Sequence, residues 1–243
     1  MGITSNHMIS IVIGAYNEEK RIKNSLCEIF NFLERKKINH EIIVVNDGST
    51  DKTNEVLIKM AAEVPTLRIN AYEENRGKGY ALRVGVLSSR GKLVLISDAD
   101  LSTPIEEFEE VLPFIESKKS EIAIGSRGLM LSKIIRRQPW WRQGMGKIFN
   151  KLVKLIVLED FNDTQCGFKL FEGGVARELF RELKTERFAF DVEILARAKK
   201  KGYRIVEVPV RWINSKQSKV NPVLDSLIMI RDLVRIRMAL RSS

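Results

Sequence analysis

Histidine is almost missing from this chain: His7 and His40 are the only two in 243 residues. Sites built on imidazole, whether a zinc centre of clustered histidines or a Ser-His-Asp triad, are thereby excluded. Cysteine is as scarce. Cys27 and Cys166 have no metal-ligand spacing, and with no secretory signal in view they point to a reducing compartment rather than a disulfide framework. Cys27 falls on a helix face as packing, and Cys166, a lone thiol without a neighbouring histidine, makes a poor nucleophile. Long apolar runs are lacking too. No stretch approaches the roughly 20 residues that span a bilayer. No basic segment precedes the first short apolar run, so neither a membrane span nor a signal peptide is expected. With no repeat, low-complexity tract or linker, a single domain over residues 8–243 is expected; residues 1–7 are set aside because patterning begins at Met8.

The most telling absence is of acid in one region. From Arg127 to Leu158 there are eight basic residues and no acidic one, and from Arg211 to Ser243 seven basic residues meet only Asp225 and Asp232. The net charge of +10 belongs to these two segments, which ask for an anionic partner at one surface: phosphate, nucleic acid or anionic lipid. A non-catalytic nucleic-acid-binding protein is disfavoured. The basic residues lack interleaved aromatics, and no recognised binding motif is present.

What is present is alternation. Strands over Ile9–Ile13, Glu41–Val45, Leu67–Ala71, Lys92–Ser97 and Ile122–Ile124 interleave with helices over Glu19–Arg35 and Lys52–Ala62. This pattern predicts an α/β fold with a mostly parallel central sheet and helices on both faces. Farther on, a helix is expected around Phe190–Lys200, a strand in "YRIVEVPVRW" and a last helix from about Asn221 to Arg241. Ligands of such sheets sit beyond the carboxyl ends of the strands. Tyr16, Glu18, Asp47, Ser49, Asp98 and Asp100 then share one rim.

Two readings compete at "LISDADLSTP", Leu95 to Pro104. In the first, Ser102 or Thr103 caps a helix with Pro104 at its first position, and Glu106, Glu107, Glu109 and Glu110 fill the opening turns. In the second, strand alternation turns Asp98 and Asp100 to one side, where both carboxylates converge on a hard cation, Mg²⁺ or Mn²⁺. Asp47 in "VNDGSTD" either caps a turn or accepts N–H groups of a nucleobase, and Glu18 either caps or accepts a ribose hydroxyl. "NRGKG", Asn75 to Gly79, is neither a dinucleotide fingerprint nor a P-loop, although Lys78 near a helix start can meet a phosphate.

The segments "AYNEE", "VVNDGSTD", "NRGKGYA", "DADLS", "IGSR", "DTQCGFKLF", "FDVE" and "EVPVRW", in this order over nearly the whole chain, closely resemble the family 2 glycosyltransferases. The nearest branch is that of the dolichyl-phosphate (polyprenyl-phosphate) glucosyltransferases, with the mannosyltransferases of the same lipid next to it. The resemblance implies a GT-A fold, a Rossmann-like nucleotide-sugar-binding architecture, with residues 8–126 holding the donor and 127–243 the acceptor. It assigns Glu18 and Asp47 to the nucleoside and Asp98 and Asp100 to a divalent cation, Mg²⁺ or Mn²⁺; Tyr16, Ser49 and Lys78, from the reading of the rim and the helix start, join Glu18, Asp47 and Asp98 in the expected nucleotide-sugar site. It assigns Arg127 and the arginines that follow to phosphate; among them Arg127, Arg137 and Arg142 are expected to grip the acceptor phosphate, with Asp98, Asp100 and Arg127 carrying catalysis. Asp163 and Gln165 either shape the sugar and acceptor pocket or serve a structural loop. Gly14 stands where a proline is common before "YNE", and Asn46 replaces the first aspartate of the usual "DDGS". Ser102 stands where mannosyl relatives often carry glutamine, which weakens the mannosyl reading.

The implied activity is inverting transfer of glucose from UDP-glucose to a polyprenyl phosphate. Mannosyl or other hexosyl transfer to the same lipid is an alternative, as is a soluble transferase acting on a saccharide or small-molecule hydroxyl. A sugar hydroxyl needs a base, whereas a lipid phosphate is already anionic and needs positioning by arginines. Many arginines and no obvious base favour the phosphate. In "MGKIFNKLVKLIVL" the apolar Met145, Ile148, Phe149, Leu152 and Ile156 recur at helical spacing while Lys147, Lys151 and Lys154 lie on other faces. Such a basic amphipathic helix, with Trp140 and Trp141 before it and the last helix beside it, either lies on an anionic membrane surface or packs on the core. The expected location is the cytoplasm, peripheral on the cytoplasmic face of a membrane.

Overall fold

A computed structural model describes residues 7–136, 140–215 and 224–242. Its centre is a seven-stranded sheet. The first four strands are β1 (Ile9–Ala15), β2 (His40–Asp47), β3 (Leu67–Tyr72) and β4 (Leu93–Asp98). They are followed by β5 (Ile122–Ser126), β6 (Lys133–Arg136), β7 (Lys169–Glu172), β8 (Ile205–Pro209) and β9 (Arg211–Ile213). The sheet order is β3-β2-β1-β4-β7-β5-β8, all parallel except β7, while β6 and β9 form a separate parallel pair. Strands from before and after Arg127 therefore share one sheet.

The central strands are apolar on both faces because helices cover both, as a parallel sheet requires. On one side lie α1 (Ile22–Arg35), α2 (Thr53–Glu63) and α4 (Phe108–Glu116), packing Leu26, Ile29, Leu57, Phe108 and Leu112 against Ile11 and Ile13. On the other lie α3 (Lys78–Ser88), α5 (Trp140–Ile156), α6 (Gly173–Glu182), α7 (Phe190–Lys200) and α8 (Leu224–Ser242). There Leu82, Phe171, Phe180, Phe190 and Leu233 meet Val12 and Val45. No helix among the described residues is long and apolar enough to cross a membrane.

Three local expectations need correction. Pro104 is extended (ψ 149) and unassisted by a side-chain cap; a short 3₁₀ turn, Ile105–Glu107, intervenes before α4 begins at Phe108. Glu107 is not a solvated dipole partner but a buried acceptor for the Arg211 backbone N–H and guanidinium. The run "YRIVEVPVRW" is two strands: Pro209 has no N–H to continue the ladder with β5, and the chain beyond it pairs with β6. The "KLF" of "DTQCGFKLF", unassigned from sequence, is β7, a four-residue strand inserted antiparallel between β4 and β5.

Candidate active site

The chain runs outward from β1 to β3 and then returns to β4 on the other side of β1, so the strand order reverses between β1 and β4. The carboxyl ends of strands splay apart at such a point. A cavity of about 540 Å³ opens there. Tyr16, Glu18, Asp47, Asp98 and Asp100 line it as the rim reading expects, and Lys78, Arg127 and Gln165 join them, so residues up to 149 apart in number converge. Ser49 and Asp163 are not in its wall. Ser49 Oγ instead accepts the Asn17 N–H at 2.9 Å and fastens the β1–α1 turn.

Asp47 has its carboxylate fully engaged by the protein. Oδ1 accepts the Tyr72 hydroxyl (2.7 Å) and the Arg76 N–H (2.8 Å); Oδ2 accepts Asn75 Nδ2 (2.8 Å) and the Gly77 N–H (2.9 Å). A carboxylate offers about four lone-pair sites. These four bonds account for them, so in this conformation Asp47 holds the "NRG" turn rather than presenting free acceptors. Gly48, at φ +65, lets that turn approach: a Cβ there would stand 2.5 Å from the Asn75 nitrogen. Burial and the Asp47 bond together push the Tyr72 phenol far above its usual range, keeping it a donor.

Asp98 ends β4, while Asp100 lies in the turn beyond it, followed by Leu101 in the left-handed region (φ 47). That turn, not strand alternation, brings the two carboxylates to one cavity. Lys78 Nζ meets Asp98 Oδ1 at 2.6 Å. Burial works against the charge of Asp98, and Lys78 outweighs it, holding the carboxyl below its ordinary range. Burial also works against the Lys78 ammonium, and Asp98 with Asp191 lifts it above its usual value. Asp100 Oδ1 accepts the Ser102 N–H at 2.9 Å, and Oδ2 lies 3.5 Å from Arg21 Nη1. Each carboxylate keeps lone pairs beyond those its protein donors use, and both border the cavity. Oxygen donors without nitrogen or sulfur suit Mg²⁺ or Mn²⁺. The residues present fit such a cation.

Two further ion pairs brace this region. Arg127 is gripped by Asp163 through Nε–Oδ2 (2.6 Å) and Nη2–Oδ1 (2.8 Å), and its backbone N–H donates to the same carboxylate (3.0 Å). Asp163 therefore acts on the cavity through Arg127, not as part of its wall. Burial raises the Asp163 carboxyl, but the guanidinium prevails and holds it at about 2. Beneath the cavity, Lys169 Nζ and Asp191 Oδ1 pair at 2.5 Å, with exposures of only 1% and 6%. Burial pushes the Asp191 carboxyl up, against Lys169 and Lys78. Gly167 packs directly on Asp98, where a Cβ would overlap the carboxylate.

Sequence reasoning missed Arg21. It forks onto Glu18 (Nη2–Oε1, 2.6 Å), approaches Asp100 and donates to Ser215 Oγ at 2.6 Å, tying the β1–α1 turn to the segment after β9. Its only sequence signal was a cation three residues after Glu18. Arg187 and Trp212 also line the cavity. Arg137, expected at the acceptor phosphate, lies outside the described residues, as does the side chain of Arg142.

This mostly parallel sheet with helices on both faces and a cavity at its switch point is the GT-A glycosyltransferase fold, and the chain belongs to glycosyl transferase family 2, whose model matches residues 10–180. Among individual proteins, it is 37% identical to the dolichyl-phosphate beta-glucosyltransferase of Dictyostelium discoideum over 96% of this chain and 74% of that one. It is 36% identical to the Homo sapiens protein of the same name over 95% of this chain and 75% of that one. Of solved structures, mannosyl-3-phosphoglycerate synthase from Rubrobacter xylanophilus superposes with a TM-score of 0.72 at 21% identity, covering 97% of this chain and 74% of that one. Glucosyl-3-phosphoglycerate synthase from Mycobacterium tuberculosis, in complex with Mn²⁺, UDP-glucose and phosphoglyceric acid, gives 0.71 at 17% identity over 97% and 80%. At these identities the two structures establish the shared fold.

Proposed function

We propose that this protein transfers glucose from UDP-glucose to a dolichyl-type polyprenyl phosphate, inverting the anomeric carbon, with Mg²⁺ or Mn²⁺ on Asp98 and Asp100. The observation that carries this reading is similarity at 36–37% identity, across 95–96% of the chain, to proteins named dolichyl-phosphate beta-glucosyltransferase. The solved neighbour that holds Mn²⁺ with UDP-glucose supports the donor and the cation.

The charge pattern of the cavity supports a phosphate acceptor. Each carboxylate lining it already has an assignment: Glu18 pairs with Arg21, Asp47 holds the 75–77 turn, and Asp98 and Asp100 are the ligands proposed for the cation. A sugar hydroxyl would need one of them free as a base, whereas a phosphate oxygen attacks as it stands. A bound divalent cation supplies electrophilic stabilisation of the departing diphosphate. Lys78 fixes the Asp98 carboxylate, Gly167 gives it room, and Arg127, oriented by Asp163, adds positive charge where the two phosphates approach. The phosphate oxygen forms its bond to C1 as the bond from C1 to the UDP oxygen breaks, so an α-linked donor yields a β-linked product. Proton NMR of the lipid-linked sugar should show the β anomer; an α anomer would contradict direct displacement.

The acceptor half supports work at a membrane surface. Met130 (98% exposed), Leu131 (77%), Ile135 (63%), Ile148 (61%) and Leu155 (81%) stand in solvent among the basic residues of β6 and α5. Apolar groups interleaved with cations suit the headgroup zone of an anionic bilayer.

A further inference from the structure

A second cavity, about 360 Å³, lies between the loop that follows α6 and one face of α8. It shares Arg187 with the larger cavity, so the 184–187 loop borders both. That loop also props the "NRGKG" turn: the Tyr80 N–H donates to the Glu186 carbonyl at 3.0 Å. Four cations ring the second cavity, Lys184 and Arg187 from the loop and Arg231 and Arg235 from α8, over an apolar floor of Ile236 and Ala239.

The acids around it are already spoken for. Glu186 lines the cavity and pairs with Arg76, which does not, at 2.6 Å. Glu193 accepts the Thr185 N–H (2.8 Å) and pairs with Arg197 (2.7 Å). Asp232 meets Arg231 at 3.3 Å. Lys184, Arg187 and Arg235 have no acidic partner among the described residues. Three uncompensated cations converging on one concavity, two of them planar guanidinium forks, match the oxygens of a phosphate group better than a single carboxylate. The site also gives a use to the basic excess of α8, which the transfer reaction leaves without one.

We propose that this cavity binds a phosphate-bearing ligand, either the headgroup of an anionic phospholipid or a free phosphate or diphosphate. The inference does not depend on the identity of donor or acceptor, and its test uses neither.

The full chain in EDTA is titrated with inorganic pyrophosphate by calorimetry. It is also floated on phosphatidylcholine vesicles with and without phosphatidic acid. The same is done with Lys184→Glu/Arg235→Glu and with the charge-keeping Lys184→Arg/Arg235→Lys, circular dichroism and thermal melts confirming that both fold. Saturable pyrophosphate binding that weakens about tenfold or more in the charge-reversed variant, and persists in the charge-keeping one, identifies a free phosphate. The same variant pattern seen only on phosphatidate vesicles identifies a lipid headgroup. No saturable response in either arm, or an equal response from all three proteins, overturns the proposal.

Discussion

At the scale of single residues, the site depends on small side chains that make room and on charges that hold one another. Gly167→Ala places a methyl group where the Asp98 carboxylate now sits. Displacing a catalytic group by about 1 Å can cost about a hundredfold in rate, so transferase activity should fall by about that factor while the melting temperature changes little. Unchanged activity would show that Asp98 can move without consequence. Asp163 offers a pH test. Its folded-state value of about 2 lies below the usual carboxylate range, so its contribution to stability is complete above about pH 5 and disappears as pH falls toward 2. The difference corresponds to about 2–3 kcal/mol. Asp163→Asn should lose about that much stability at pH 7 and flatten the acid limb of the unfolding free energy between pH 5 and 2, measured by urea denaturation. The aspartates after β4 were legible because they end an apolar run, and the cavity does contain them. The full engagement of Asp47 was not, since its partners lie 25 to 30 residues away and a lone sequence carries no sign of which carboxylates meet. Arg21 was overlooked for the same reason: its bond to Ser215 spans 194 residues.

At the scale of elements, continuous apolar strands and 3.6-residue periodicity placed β1 to β5, α1 and α2 within a few residues of where they lie. Short elements defeated both signals. β7 has four residues and β9 three, too few for a period to register, and Pro209 divides what reads as one strand. Periodicity also left open whether the stripe of α5 faces core or lipid. The structure divides it: Phe149 is buried in the core beside Val153, whereas Ile148 is 61% exposed and Leu155, outside the stripe, is 81% exposed. Ile148→Glu and Leu155→Glu should therefore leave the fold intact, yet each removes apolar area worth about 1.5–3 kcal/mol on full burial. Flotation on anionic vesicles should weaken by about tenfold or more per substitution, and the double variant should be recovered mostly in the soluble fraction. Undiminished flotation would place the membrane contact on another element.

At the scale of the whole molecule, one reversal in strand order explains why residues from β1, β2, β4 and the later strands meet in a single cavity. Alternation of strands and helices alone makes that rim readable in the sequence. The later half was harder to read, because its sheet contribution arrives out of order, as β7, then β5, then β8. Its basic character was plain in the sequence and acquires a location here, on β6, α5 and α8. The central claim is that Asp98 and Asp100 sustain glucosyl transfer from UDP-glucose to a polyprenyl phosphate. Its most direct test follows radiolabel from UDP-glucose into the organic phase in the presence of dolichyl phosphate and Mg²⁺ or Mn²⁺, for the wild type, Asp98→Asn and Asp100→Asn. The account predicts labelled lipid from the wild type, dependent on both lipid and metal, and loss of at least about a hundredfold in each variant. Label that enters lipid equally well from both variants, or no labelled lipid from a folded wild-type protein, would contradict it.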